Sequence, residues 1–293
     1  QTLPDLTLAD IQRIAAERGP AGVQVSDAVW MSRFHISHRK VESFRKLRVF
    51  LAGDAAHIHS PAGGQGMNTG IQDAFNLAWK LALVLQGRAP LHLLGTYESE
   101  REPVVRKVIN LTDRLTRIAT TKSPITQGVR NFLMPLMTQI DFVEESIADQ
   151  ISELKVNYRR SEIVEHHGGG SLRAGDRAPD CELRLTSGQS CRLFELFREP
   201  KHVLLVFTGA RATEINDIRA LIAPFSDSIS IYSLGRGRAA TADLGDITGA
   251  AHSTYQLPHG GLVLVRPDGY IAFRSDEFNA AQLRSYLNRI FSL

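Results

Sequence analysis

The spacing of apolar residues changes character twice along the chain. Leu8, Ile11, Ile14 and Ala15 recur at helical spacing, predicting a short amphipathic helix from Leu8 to Glu17. Val23, Val25 and then Val29 to Ile36 read as extended strands, with Phe34 and Ile36 alternating with His35 and Ser37, so that one face is free to line a cavity. From Met67 to Gln86 the pattern is helical and apolar nearly all round. Only Gln72, Asn76 and Lys80, spaced by four, form a narrow polar stripe, which predicts a helix buried on most sides and stopped at Gly87. Two further helical regions follow, about Leu91 to Ala119 with a bend or restart at Pro103, and roughly Ile125 to Leu154 with a break at Pro135. Glu165 to Ser171, with three successive glycines, reads as a linker. Beyond it the pattern shortens. Lys201–Phe207 reads as a buried strand, Thr213–Phe225 as a helix and Ser228–Leu234 as a second strand. Gly261–Arg274 reads as a hairpin turning at Pro267-Asp268-Gly269, and Ala280–Phe291 as a closing helix.

The stretch from Arg48 to Asn68 carries the clearest chemistry. An apolar strand, Val49 to Ala52, would deliver Asp54 at its carboxyl end, where ligands of open α/β sheets collect and a carboxylate can accept hydrogen bonds from sugar-like hydroxyls. Gly63, Gly64 and Gly66 let the backbone press closely on a ligand. The N–H groups of Met67 and Asn68 then open a helix, whose unpaired donors and positive dipole end favour an anionic or carbonyl oxygen. His57 and His59 have the His-x-His spacing of a metal pair, but no nearby cysteine or carboxylate cluster completes a ligand set, so no metal is expected.

Composition narrows the class. A chain of 293 residues, 43% hydrophobic and 22% charged, is enough for about two domains with ordinary cores. No run of about 18 apolar residues predicts a membrane span. The first twenty residues carry Asp5, Asp10 and Glu17 and lack a signal-peptide core. Cys181 and Cys191 are expected as buried free thiols in a cytoplasmic protein. The balance of 34 basic against 31 acidic residues, net +3, predicts no nucleic-acid partner.

The segment also resembles the second FAD fingerprint of the class A aromatic-ring flavoprotein monooxygenases, built like para-hydroxybenzoate hydroxylase and phenol hydroxylase. The matched positions run in one order from Trp30 through Ser32-Arg33-Phe34 and His38-Arg39, Gly53-Asp54-Ala55-Ala56-His57 and Gly70-Ile71-Gln72-Asp73-Ala74-Phe75-Asn76-Leu77-Ala78-Trp79-Lys80-Leu81. They continue more weakly through Thr96-Tyr97-Glu98 and Arg101 to Pro103. The resemblance implies that Gly53 and Asp54 bind the FAD ribityl chain and that Pro61 lies beside the reactive flavin edge. It implies too that the loop with Gly64 and the amides of Gly66, Met67 and Asn68 approach the pyrimidine ring. A helix start aimed at that ring would stabilise the anion of reduced flavin.

The same resemblance implies a fold: the C-terminal part of a glutathione-reductase-type FAD domain with a remnant of the substrate-domain sheet, followed by a thioredoxin-like α/β domain. The expected divisions are 1–47, 48–165 and 171–293. The family's N-terminal Gly-x-Gly-x-x-Gly and central Asp-Gly motif are absent from this sequence, so the chain is expected to act with a missing N-terminal half and to be inactive alone. The place of the thioredoxin Cys-x-x-Cys reads Thr208-Gly-Ala-Arg211, which removes disulfide exchange and leaves a structural or assembly role. The implied activity is NADPH- or NADH-dependent hydroxylation of a small phenolic or polyketide aromatic through a flavin C4a-hydroperoxide, with a homodimer as the possible assembly. The alternative is a non-catalytic binding or assembly remnant. Tyr97, Glu98 and Arg101 are expected to pair locally on one helix face, Phe75 and Trp79 to be helix core, and His166-His167 to be solvated.

Overall fold

The computed structural model describes residues 6–32, 37, 39–58, 64–119, 156–208, 213–237 and 242–292, in two compact units, 1–37 and 38–293. In the first unit, helix α1, Leu8–Arg18, starts at a reciprocal cap: Thr7 Oγ1 accepts from the Asp10 N–H while the Asp10 side chain accepts from the Thr7 N–H. The Gln12 side chain pins the returning chain by donating to the Val23 carbonyl at 2.9 Å and accepting from the Val25 N–H at 2.6 Å. No strand forms among the described residues 20–32, contrary to the extended reading; at Val23 and Val25 the backbone bonds to the Gln12 amide rather than to a neighbouring strand, and residues 33–36 and the segment 125–154 lie outside the described residues.

The second unit begins with short strands: β1 Arg39–Lys40, β2 Arg45–Lys46, β3 Val49–Phe50 and β4 His57–Ile58. β2 pairs with β3 and β1 with β4, both antiparallel. The expected strand Val49–Ala52 is therefore a two-residue hairpin arm. Helix α2, Gly66–Leu85, follows, then a 3-10 turn Leu91–Gly95 and helix α3, Thr96–Ala119. α3 runs through Pro103 without restarting there, and Glu100, Arg101, Val104 and Val105 are buried on either side of the proline.

The rest forms one eight-stranded mixed sheet: β5 Glu165–His167, β6 Glu182–Leu185, β7 Ser190–Arg192, β8 His202–Phe207, β9 Ile229–Arg236, β10 Leu244–Asp246, β11 Gly261–Val265 and β12 Ile271–Ser275, in the order β5-β12-β11-β8-β9-β10-β6-β7. β8, β9 and β10 are parallel, while β11 and β12 make the predicted hairpin against β8. β8 is buried on both faces, as its unbroken apolar run requires. Leu204 and Val206 pack with helices α4, Thr213–Ile222, and α6, Ala280–Ile290. Val203, Leu205 and Phe207 pack on the other face beside Tyr255 and helix α5, Ala250–Thr254. Glu165–His167, read as linker, is instead the sheet's edge strand, parallel to β12; His167 lies 5.6 Å from the Phe273 ring and both histidines are half-buried. Cys181 and Cys191 are buried and free. Among the described residues no helix is long and apolar enough to cross a membrane.

The orientation of α2 departs from the sequence reading. The face expected to meet solvent is buried: Asn76 and Lys80 are 1% and 0% exposed, and Asp73 and Thr69 join them at 0%. Met67, Ile71, Phe75 and Leu85 are instead 51–80% exposed. The inward stripe meets a carboxylate on α3. Glu100 accepts from Lys80 Nζ at 2.8 Å, Asn76 Nδ2 at 2.6 Å, Ser161 Oγ at 2.6 Å and Arg266 Nη1 at 2.7 Å. Arg266 also grips Asp268 at the tip of the β11–β12 hairpin, and Trp79 Nε1 donates to Asp268 at 3.1 Å. Its guanidinium lies 5.1 Å from the ring centres of both Trp79 and Tyr158. Burial alone would raise the Glu100 carboxyl, but Arg266 and Lys80 outweigh it and hold the group well below the usual carboxylate range.

His202 on β8 stands edge-on to Trp79 and Phe291, with ring centres 5.2 and 5.0 Å away. Its Nδ1 is buried and finds no hydrogen-bond partner among the described residues. Burial, with Arg266 adding to it, pushes this imidazole down from 6.5 to about 3. Between these values the unfolded chain binds the proton that the folded chain refuses, so stability falls as pH drops from 6.5 towards 3, by about 1.4 kcal/mol per unit from this group. His202→Phe should flatten that part of a urea-unfolding pH profile; an equal acid slope in both proteins would contradict it. Glu100→Ala, which strands the buried Lys80 ammonium and leaves Arg266 with Asp268 alone, should lower the unfolding free energy by about 3–5 kcal/mol in the same assay.

Candidate functional site

The Gly53–Asp54 segment folds as a single 3-10 turn, Gly53–Ala55, between β3 and β4. Gly53 has φ +56°, in the left-handed region that a side chain disfavours. Its N–H donates to Asp73 Oδ2 at 3.0 Å and its carbonyl accepts from the Ala56 N–H at 2.8 Å. The turn touches α2 backbone to backbone: a Cβ built on Gly53 would sit 3.5 Å from Gly70 Cα, and one on Gly70 would sit 3.4 Å from Gly53 Cα. A Cβ at either position would make only ordinary van der Waals contact, so what the turn demands of Gly53 is its left-handed φ rather than empty space. Asp54 is exposed, and its carboxylate bonds to no other described residue.

The start of α2 faces the same need from the opposite side. Gln65 precedes the helix without any side-chain cap, and the first turn contains no acidic residue. The amides of Gly66, Met67 and Asn68 are thus donors to which the helix itself gives no carbonyl partner. Gly64 has φ +65° and is exposed, as are Met67 and Asn68. An exposed acceptor on the turn and the donor end of the helix suit a ligand with hydroxyls at one end and a carbonyl or anionic oxygen at the other. The ribityl chain and pyrimidine ring of a flavin have that pattern. Pro61 and His59 lie outside the described residues.

Behind this surface lies a set of charges that sequence reasoning missed. Asp73, fully buried on α2, divides its carboxylate: Oδ2 takes the Gly53 N–H and lies 2.7 Å from His57 Nε2, while Oδ1 accepts from Arg101 Nε at 2.7 Å. Burial would raise this carboxyl, but the contacts to His57 and Arg101 lower it. Arg101 is completed by Tyr158 Oη at 2.8 Å, Gln72 Oε1 at 3.1 Å and the Thr69 carbonyl at 3.2 Å. Arg101 therefore reaches across to another helix rather than pairing on its own face. Tyr97 does likewise, donating to the Leu51 carbonyl at 2.8 Å, and Glu98 accepts from Ser43 Oγ at 2.7 Å. Trp79 is core as expected, whereas Phe75, expected there too, is exposed on the outer face of α2. The signal that marks this layer is the i, i+3, i+7 set Asp73, Asn76 and Lys80 inside an otherwise apolar helix.

Residues 4–112 match the model of the FAD binding domain, and residues 171–292 that of the aromatic-ring hydroxylase C-terminal domain. The chain belongs to the FAD-dependent aromatic-ring hydroxylases. A flavin-dependent monooxygenase of Mycobacteroides abscessus is 35% identical over 294 residues, which cover 99% of this chain and 50% of the relative. The 6-methylpretetramide 4-monooxygenase of Streptomyces rimosus is 34% identical over 92% of this chain and 49% of its own length. The solved structure of an anhydrotetracycline hydroxylase from Streptomyces rimosus matches with TM-score 0.73 at 32% identity, covering 98% of this chain and 53% of that one. The chain spans about half the length of the curated relatives it matches.

The backbone contact between turn and helix yields a direct test. Gly70→Val drives a branched side chain onto Gly53 Cα and should lower the unfolding free energy by about 1–3 kcal/mol in denaturant titration. An unchanged midpoint would show that the contact is loose.

Proposed function

We propose that residues 38–119 form the ribityl- and pyrimidine-binding part of the FAD site of an aromatic hydroxylase that consumes NADH or NADPH. The observation that carries this is the exposed Asp54 carboxylate, bonded to no other described residue, on a glycine turn held to Asp73 of α2, beside a helix start that has no side-chain cap. In this reading Asp54 accepts hydrogen bonds from ribityl hydroxyls, and the amides of Gly66, Met67 and Asn68 donate to the pyrimidine oxygen, where reduced flavin carries its negative charge. Pro61 would lie at the flavin edge. Bound flavin, once reduced, supplies the oxygen-activating chemistry that no side chain of this site can perform.

The exposed row Met67, Ile71, Phe75 and Leu85 supports a second part of the proposal. So long an apolar stripe on one helix is a surface meant for covering. A further portion of the FAD-binding fold, bearing the pyrophosphate-binding Gly-x-Gly-x-x-Gly, would cover it, exclude water from the flavin and complete the cofactor site. The finer fold follows the same line. The eight-stranded sheet with helices α4 and α6 on one face is read as a thioredoxin-like domain without redox chemistry, since the sequence has Thr208-Gly-Ala-Arg211 in place of Cys-x-x-Cys, and with a structural role, since its hairpin tip, Arg266 and Asp268, engages α2 and α3. The similarity to hydroxylases of 6-methylpretetramide and anhydrotetracycline supports a fused-ring polyketide phenol as the substrate class.

The test is a flavin titration of the 293-residue chain alone and joined to a segment that supplies the glycine motif. The joined protein should quench FAD fluorescence, and Asp54→Ala should weaken its FAD affinity by about tenfold or more, as the loss of a charged acceptor predicts. A folded, joined protein that leaves the flavin signal unchanged would sink the proposal.

A further inference from the structure

We propose that Asp73 is the positioning residue of the cofactor turn: by holding the Gly53 N–H from α2, it fixes where Asp54 presents its carboxylate. This rests on the reading of Asp54 as a ribityl ligand given above. Asp73 does not face the cofactor surface. It is fully buried two helical turns beyond Gly66, about 10 Å along the axis at 1.5 Å per residue. The helix that offers the donor end therefore also carries the anchor of the acceptor turn, which makes the two halves of the site one rigid piece.

Three features set this carboxylate apart from an ordinary interhelical ion pair. Its Oδ2 takes the N–H of the residue immediately before Asp54, and it shares that oxygen with His57 Nε2 on the strand that follows the turn. That residue sits at φ +56°, a conformation easily lost to alternatives unless it is held. The carboxylate also cannot swing away, because Arg101 clamps Oδ1 and is itself fixed by Tyr158, Gln72 and the Thr69 carbonyl, with both side chains of the pair fully buried. Joining α2 to α3 would not in itself need a buried charge, since apolar packing serves that purpose as well or better. What apolar packing cannot do is accept the Gly53 N–H.

The experiment is a double-mutant cycle on FAD affinity, read by fluorescence quenching in the form of the protein that binds FAD in the titration above. Asp73→Asn, with a single amide oxygen to serve the turn, His57 and Arg101, should weaken FAD by about tenfold when Asp54 is present. In the Asp54→Ala background the same substitution should weaken it by less than about twofold, because the group it positions is gone. A merely structural role predicts equal factors in both backgrounds, and that result overturns the proposal. So does an Asp73→Asn protein of unchanged affinity when Asp54→Ala is impaired. If Asp73→Asn does not fold by circular dichroism, Arg101→Lys, which keeps the charge but moves the donor off Oδ1, takes its place. The same loss of effect in the Asp54→Ala background is expected, and equal factors again overturn the proposal. If Asp54→Ala alone leaves FAD affinity intact, or no form binds FAD, the reading of Asp54 fails, and the role assigned to Asp73 falls with it.

Discussion

Glu100 has to be satisfied in a place that water does not reach, and the geometry of the 38–293 unit follows from how that is done. A buried carboxylate is tolerable only when cations and donors occupy its oxygens. Here Lys80 and Asn76 come from α2, Ser161 from the segment leading into the sheet, and Arg266 from the β11–β12 hairpin. Three separate stretches of chain converge on one anion, and none can shift without leaving a charge bare. Trp79 fills the remaining angle, closing on Arg266, Asp268 and His202 at once.

That convergence also decides which way α2 faces. With Asn76 and Lys80 committed inward, Asp73 and Thr69 follow on the same side, and the apolar residues at Met67, Ile71 and Phe75 are turned outward. Asp73 then meets Arg101 and the Gly53 turn, so the charge layer that ties the helix to the sheet continues into the one that shapes the candidate site. Tyr158 belongs to both layers, bonding Arg101 through its hydroxyl and stacking near Arg266 and Tyr270 with its ring.

Much of this was legible in the chain. The Gly53-Asp54 turn, the long helix behind it, strand β8, the β11–β12 hairpin and helix α6 all follow from local chemistry: glycines, apolar runs and turn residues. What local chemistry could not supply was the direction of a helix. A polar stripe on an apolar cylinder reads as its wet side, and only a carboxylate 20 residues further on and an arginine 166 residues from that carboxylate make it the dry side. Arg101 was misread for the same reason, since spacing on α3 shows its neighbours there and not Asp73 on another element. Glu165–His167 looked like linker because an edge strand parallel to β12 borrows its regularity from the partner.

Gly53 and Gly70 meet with no side chain between them. Where two elements rest on side chains, their spacing can drift by the width of a rotamer change. Here it is set by main-chain atoms and behaves as a fixed caliper. The span from the Asp54 carboxylate to the first amides of α2 is thus insensitive to repacking elsewhere. On the proposed reading, substitutions elsewhere in the 38–293 unit would leave the opening of those jaws unchanged.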